Sequence, residues 1–124
     1  MAEKLESCQD LKVWQRAMEL AEACYLHAKA FPREELFGLT SQIRRSAAPI
    51  AANVAEGYGR EQTGMFVQVL RMSQGSLKEL ETHLMLAARV QLAPSKRTDQ
   101  ILGHCQELGK MLRALIRSLQ HRGQ

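Results

Sequence analysis

Aromatic side chains make up only 5% of this 124-residue chain, against 45% hydrophobic residues overall. A core with so few rings has to be built from aliphatic side chains, alanine and methionine. That favours helices over strands, which draw on β-branched and aromatic residues. Cysteine is scarce as well: Cys8, Cys24 and Cys105 are odd in number, widely spaced and form no CxxC, which argues against a disulfide framework or a zinc knuckle. No apolar run approaches the roughly 18 residues of a membrane span, and the opening MAEKLESCQD is polar where a leader would be basic and then apolar. The expected setting is the reduced cytoplasm, with no membrane partner.

Catalytic patterns are missing too. Glu79 and Glu81 are two apart, so a helix points them in different directions. His27, His83, His104 and His121 lack metal-ligand spacing such as HExxH, and Gly57 and Gly59 do not open a GxxxxGK[ST] phosphate loop. Cys24 and Cys105 read as small buried hydrophobes. Ser73 and Ser76 flank Gly75 and read as residues that thin a helix for packing, their hydroxyls bonded back one turn. The expectation is a protein that is not an enzyme, with no catalytic residues, cofactor, metal or small-molecule substrate.

What is present is helical. Asp10 is a good N-cap for a first helix carrying Leu11, Trp14, Ala17 or Met18, Ala21, Cys24 or Tyr25, and Ala28, stopping near Phe31-Pro32. A second runs from about Leu36 to Tyr58 with Leu39, Ile43, Ala47, Ile50 and Val54 inward and Pro49 in its interior, where a proline should bend it. Gly57 and Gly59 supply its stop through a left-handed cap. A third, from Thr63 to about Gln91, places Phe66, Leu70, Ser73, Leu77, Leu80, Leu84 and Ala88 inward. A fourth, capped by Ser95, repeats Ile101, Cys105, Leu108, Leu112, Leu115 and Leu119 at heptad steps. Short connections make this an all-α, antiparallel up-down-up-down four-helix bundle over residues 10–120, with a flexible segment at 1–9 and a frayed tail at 121–124.

Two faces carry more apolar surface than one core needs. Residues 46–55, SAAPIAANVA, hold no charge. A helix there puts Ala48, Ala51 and Ala52 away from the Ile43–Val54 stripe, and a helix apolar all round is buried on more than one side. On the third helix Met65, Met72, Leu86 and Val90 form a second stripe. Together they predict a homo-oligomer interface, since large exposed apolar patches are rare. Arg44, Arg45 and Arg60 are expected there, paired with Glu56, Glu79 or Glu81 of the same or a neighbouring subunit, because a buried arginine needs a partner; the alternative is a ligand anion.

The net charge of +4 lies in the second half: residues 1–60 hold eight basic and eight acidic side chains, residues 61–124 nine and five. Arg71, Lys78 and Arg89 share a flank of the third helix, while Lys110, Arg113, Arg117 and His121 form a row on the fourth. Such rows can hold phosphates or simply face water. Few aromatics interleave with them, which counts against single-strand stacking.

Several stretches resemble one family as a set: Asp10-Leu-Lys-Val-Trp14, Phe31-Pro32, Phe37-Gly-Leu-Thr-Ser-Gln-Ile-Arg-Arg-Ser46, Asn53-Val-Ala-Glu-Gly57, Gly59-Arg60 and Gly75-Ser-Leu-Lys-Glu-Leu-Glu-Thr82. They are similar, over about residues 10 to 120, to the four helix bundle proteins, some encoded by intervening sequences within bacterial 23S ribosomal RNA genes. The resemblance implies a cytosolic antiparallel bundle assembling into a ring-like homopentamer. A related group, the accessory proteins of diversity-generating retroelements, forms similar pentamers and contacts a reverse transcriptase and nucleic acid through basic surfaces. No active site comes with the resemblance; Arg44, Arg45, Glu56, Gly57, Gly59, Arg60, Glu79 and Glu81 carry over as structural marks. One departure is the order Ala-Ala-Pro49-Ile50, where related sequences place a Ser-Ile-Pro run. The expectation is an oligomeric scaffold that contacts RNA or a ribonucleoprotein; the alternative is a structural module for an acidic protein, without nucleic acid.

Overall fold

The computed structural model describes residues 11–60 and 62–122, and these form four helices and one short 3-10 turn. Helix α1 spans Lys12–Lys29, a 3-10 turn follows at Arg33–Glu35, and α2 spans Leu39–Tyr58, α3 Thr63–Arg89 and α4 Ser95–Arg122. Each helix packs on its chain neighbours, and α1 closes the bundle against α4. The all-α four-helix bundle expected from the spacing is the observed fold.

The core is aliphatic. Leu20, Ile43, Ile50, Leu70, Leu80, Leu84, Ile101, Leu108 and Leu112 are its largest fully buried side chains, each contributing about 1.5–3 kcal/mol relative to exposure. On α1 the buried line is Val13, Ala17, Leu20, Cys24 and Ala28, so the Met18 and Tyr25 alternatives fall outside it and Leu11, Trp14 and Ala21 sit at its edge. On α3 Ala87 is buried in place of Ala88, and Phe66 is half-buried. On α4 Ile116 is buried where Leu115 was expected, Leu115 being only partly covered. The α4 change follows from a 3.6-residue helix drifting out of a 3.5-residue repeat over a long element, whereas on α3 Ala87 continues the alternating steps of three and four through Leu77, Leu80 and Leu84, which Ala88 would break.

The ends differ from expectation in several ways. Asp10 lies outside the described residues; the N-cap of α1 is Leu11, without a side-chain cap. Helix α2 opens three residues late, because the 3-10 turn intervenes and the Glu35 carboxylate accepts a hydrogen bond from the Leu39 N–H at 3.0 Å. It then runs unbroken through Pro49. Its stop uses no left-handed glycine: Gly59 sits at φ −76°, and its N–H bonds to both the Ala55 and Glu56 carbonyls, tightening the last turn. The left-handed residue is instead Gln91, at φ 65°, after α3. The Leu92 N–H bonds to Ala87 and that of Gln91 to Ala88, the paired pattern of a Schellman cap. Ser95 is the first residue of α4, and the Pro94 carbonyl ahead of it accepts from Thr98. The helix continues to Arg122, past the expected boundary at 120.

Candidate nucleic-acid interface

Helices α3 and α4 run antiparallel, and a groove of about 420 Å³ lies between them, lined by Gln74, Leu77, Lys78, Glu81, Cys105, Gln106, Gly109, Lys110 and Arg113. Its floor is apolar. Leu77 stands opposite Gly109, where an added Cβ would lie 3.6 Å from the leucine Cδ2. A larger residue at 109 would narrow the space between the two walls. Lys78 rises on the α3 wall, Lys110 and Arg113 on the α4 wall, all three exposed.

One carboxylate tempers these three cations. Lys78 Nζ lies 3.1 Å from Glu81 Oε1, and the Glu81 side chain is only 14% exposed. The groove therefore keeps an excess of positive charge, concentrated on α4. The Cys105 thiol at the floor is pushed up to about 12, mainly by burial, with Cys24 and Glu81 adding to the effect and Lys78 opposing it. Burial likewise holds the Cys24 thiol at about 12. Both are neutral thiols near neutral pH and poor nucleophiles. Cys8 lies outside the described residues.

The structure gathers only part of the predicted basic set. Lys78, Lys110 and Arg113 meet around one groove. Arg117 lines an adjoining shallow depression with Ala114, Ser118, Gln120 and His121. Arg71 is seven residues before Lys78 on the same flank of α3, about 10 Å along the axis, and so extends the α3 wall toward the Arg117 end. Arg89 stands about 16 Å the other way and is not part of the groove. Nothing local in the sequence marks Gln74, Gln106 and Gly109, because which helix faces meet is set by packing between helices.

The expected interface residues divide as well. Ala48 and Ala52 are exposed on α2 beside exposed Arg45, but Ala51 is 3% exposed and belongs to the monomer's own core. Met65, Met72, Leu86 and Val90 are all exposed, Met72 at 58%. Phe37, at 93%, and Leu26, at 60%, add apolar surface that the periodicity did not flag. Arg60 pairs with Glu56 one turn earlier, as one of the expected pairings has it. Within the chain Arg44 does not pair with Glu79 or Glu81: its guanidinium sits 5.2 Å over the Tyr25 ring, with Nε buried and without a hydrogen-bond partner in the chain. Glu81 faces the α3–α4 groove and is held by Lys78, so it is unavailable to α2.

Two further polar groups sit where the sequence did not place them. The Ser73 hydroxyl does not bond back along its own helix but crosses to the Ile50 carbonyl of α2 at 2.9 Å. His27 is 7% exposed and edge-on to Phe31, with its pKa lowered by burial and by Arg97. Among the described residues no cluster of His, Cys, Asp or Glu could hold a metal ion, and no helix is long and apolar enough to cross a membrane.

The fold and the groove together define a class: a small helical bundle with an aliphatic core and a basic seam between two long helices. Within that class the family is settled by its sequence model. The chain belongs to the 23S rRNA-intervening sequence protein family, whose model matches residues 9–114. A crystal structure at 1.70 Å of a protein with unknown function from the S23 ribosomal protein family, from Bacteroides thetaiotaomicron, is similar in fold, with a TM-score of 0.79. The two share 24% sequence identity over 85% of this chain and 95% of that one. No curated protein matches the chain.

Proposed function

We propose that this protein is a non-enzymatic, cytoplasmic scaffold that assembles with copies of itself and holds RNA, free or within a ribonucleoprotein, on its α3–α4 face. The observation that carries the reading is the convergence of Lys78 with Lys110 and Arg113 on opposite walls of one groove. Cations grouped in this way bind a polyanion by releasing its counterions, which makes affinity fall steeply with salt. The family's name, which ties it to ribosomal RNA genes, agrees with an RNA partner. Self-association is supported by the exposed Met65, Met72, Leu86 and Val90 on α3 and by the uncharged face of α2. A ring of five is the assembly the family resemblance implies.

The test is fluorescence anisotropy of a labelled structured RNA across a salt series, with Lys110, Arg113 and Arg117 replaced together by Gln. Wild-type protein should bind with salt-reversible affinity, and the triple variant should flatten the logarithmic salt dependence by about three. Unchanged binding by the variant would remove the α3–α4 face from the reading. No binding by the wild type would leave the acidic-protein module as the better account. Light scattering tests assembly: a mass several times that of the chain is expected, and Ala52→Glu should reduce it while helix content stays high.

A further inference from the structure

We infer that the α3–α4 face grips the phosphate backbone of double-stranded RNA and does not read the bases of a single strand, an inference that rests on the RNA reading above. The first observation is where the rings are. All six Phe, Tyr and Trp side chains, Trp14, Tyr25, Phe31, Phe37, Tyr58 and Phe66, occur by residue 66. Beyond its first turn α3 has none, and α4 has none. The groove floor is Leu77, Cys105 and Gly109, and its walls are amide and charged side chains. Proteins that hold single strands combine a basic track with aromatic faces on which successive bases stack. Here the basic track exists and the stacking platform does not.

The second observation is the placement of the cations. Lys110, Arg113 and Arg117 follow one another along α4 at intervals of about 4.5 and 6 Å, so each can meet a different phosphate, while Lys78 and Arg71 approach from the other wall. Neighbouring helix axes stand roughly 8–10 Å apart, which lets both walls reach one phosphate ribbon lodged between them. A duplex presents that ribbon already ordered and at high charge density. A flexible strand has lower charge density and must be ordered on binding. Without stacking, nothing offsets that ordering, so the duplex wins and sequence matters little, as in shape-based recognition of A-form RNA.

The experiment compares an RNA duplex of about 16 base pairs with each of its separated strands, chosen not to self-pair. Binding is measured at several salt concentrations with the wild-type protein and with Lys110→Gln/Arg113→Gln. Both substituted residues are exposed, and circular dichroism checks that the variant is folded. The expected result is duplex binding roughly tenfold tighter than either strand, with the double variant lowering the logarithmic salt slope by about two. A single strand bound as tightly as the duplex overturns the inference and leaves the RNA reading standing. Duplex preference unaltered in the double variant overturns the groove assignment. Binding of neither form overturns both this inference and the RNA reading.

Discussion

Along its α2 side, α3 is drawn in close. Gly57 backs onto Phe66 so tightly that a Cβ there would lie 2.5 Å from the ring, and the Ser73 hydroxyl reaches the Ile50 carbonyl across the seam. Along its α4 side the same helix packs less tightly: a Cβ at Gly109 would meet Leu77 of α3 only at an ordinary contact distance of 3.6 Å, and the walls carry charge. A glycine closes one seam and widens the other. The difference lies in what faces it: Phe66 lies directly against the backbone of Gly57, whereas the atoms nearest Gly109 are the ends of Leu77 and Arg113. The closed seam therefore fixes the fold, and the open seam is free to carry a function.

The largest test of the contrast is alkaline. If the open seam is dry beneath its rim, Cys105 and Cys24 stay protonated in the folded protein to about 12, whereas unfolded thiols ionise at the ordinary 9.0. A raised folded value contributes stability that is complete below pH 9.0 and is lost as pH climbs toward 12. Urea midpoints should fall across that window, and the fall should shrink in Cys24→Ala/Cys105→Ala. A double variant with the same alkaline slope would mean the floor is wet.

Gly57→Ala comes next. Despite alanine's better helix propensity, the displaced Phe66 ring should cost about 1–3 kcal/mol, read as a lower thermal midpoint. A neutral result would show that the α2–α3 seam yields as easily as the other. Ser73→Ala removes the cross-helix hydrogen bond and should cost about 1 kcal/mol in urea unfolding, with helix content unchanged. The smallest effect has the opposite sign: Gly109→Ala meets only ordinary contacts and should stabilise by about 0.4–1 kcal/mol through the unfolded chain. If it destabilises, the α3–α4 seam is as tight as the α2–α3 seam and the contrast fails.

Much of the fold was legible along the chain because it is written in local spacing. Ile43, Ala47, Ile50 and Val54, or Leu77, Leu80 and Leu84, recur at helical intervals and are fully or almost fully buried. The row Lys110, Arg113, Arg117 was legible for the same reason, since its members lie on one helix. Its meeting with Lys78 was not, because the rotation and register of α3 against α4 are set by how the two cores pack, and Arg89, on the same nominal flank, ends up away from the groove. Arg44 shows the same limit. A buried arginine calls for a carboxylate, and the packing of α1 on α2 supplied the Tyr25 ring.

The sequence by itself determined four helices, their apolar faces and a surplus of positive charge in the second half, because these follow from periodicity and composition within single segments. Only the tertiary structure decided that Ala51 belongs to the core while Ala52 faces out, that Ser73 bonds across a seam, and that three of six candidate cations share a groove. Those outcomes depend on contacts between helices, where a rotation of a few tens of degrees decides whether a side chain is core, wall or surface.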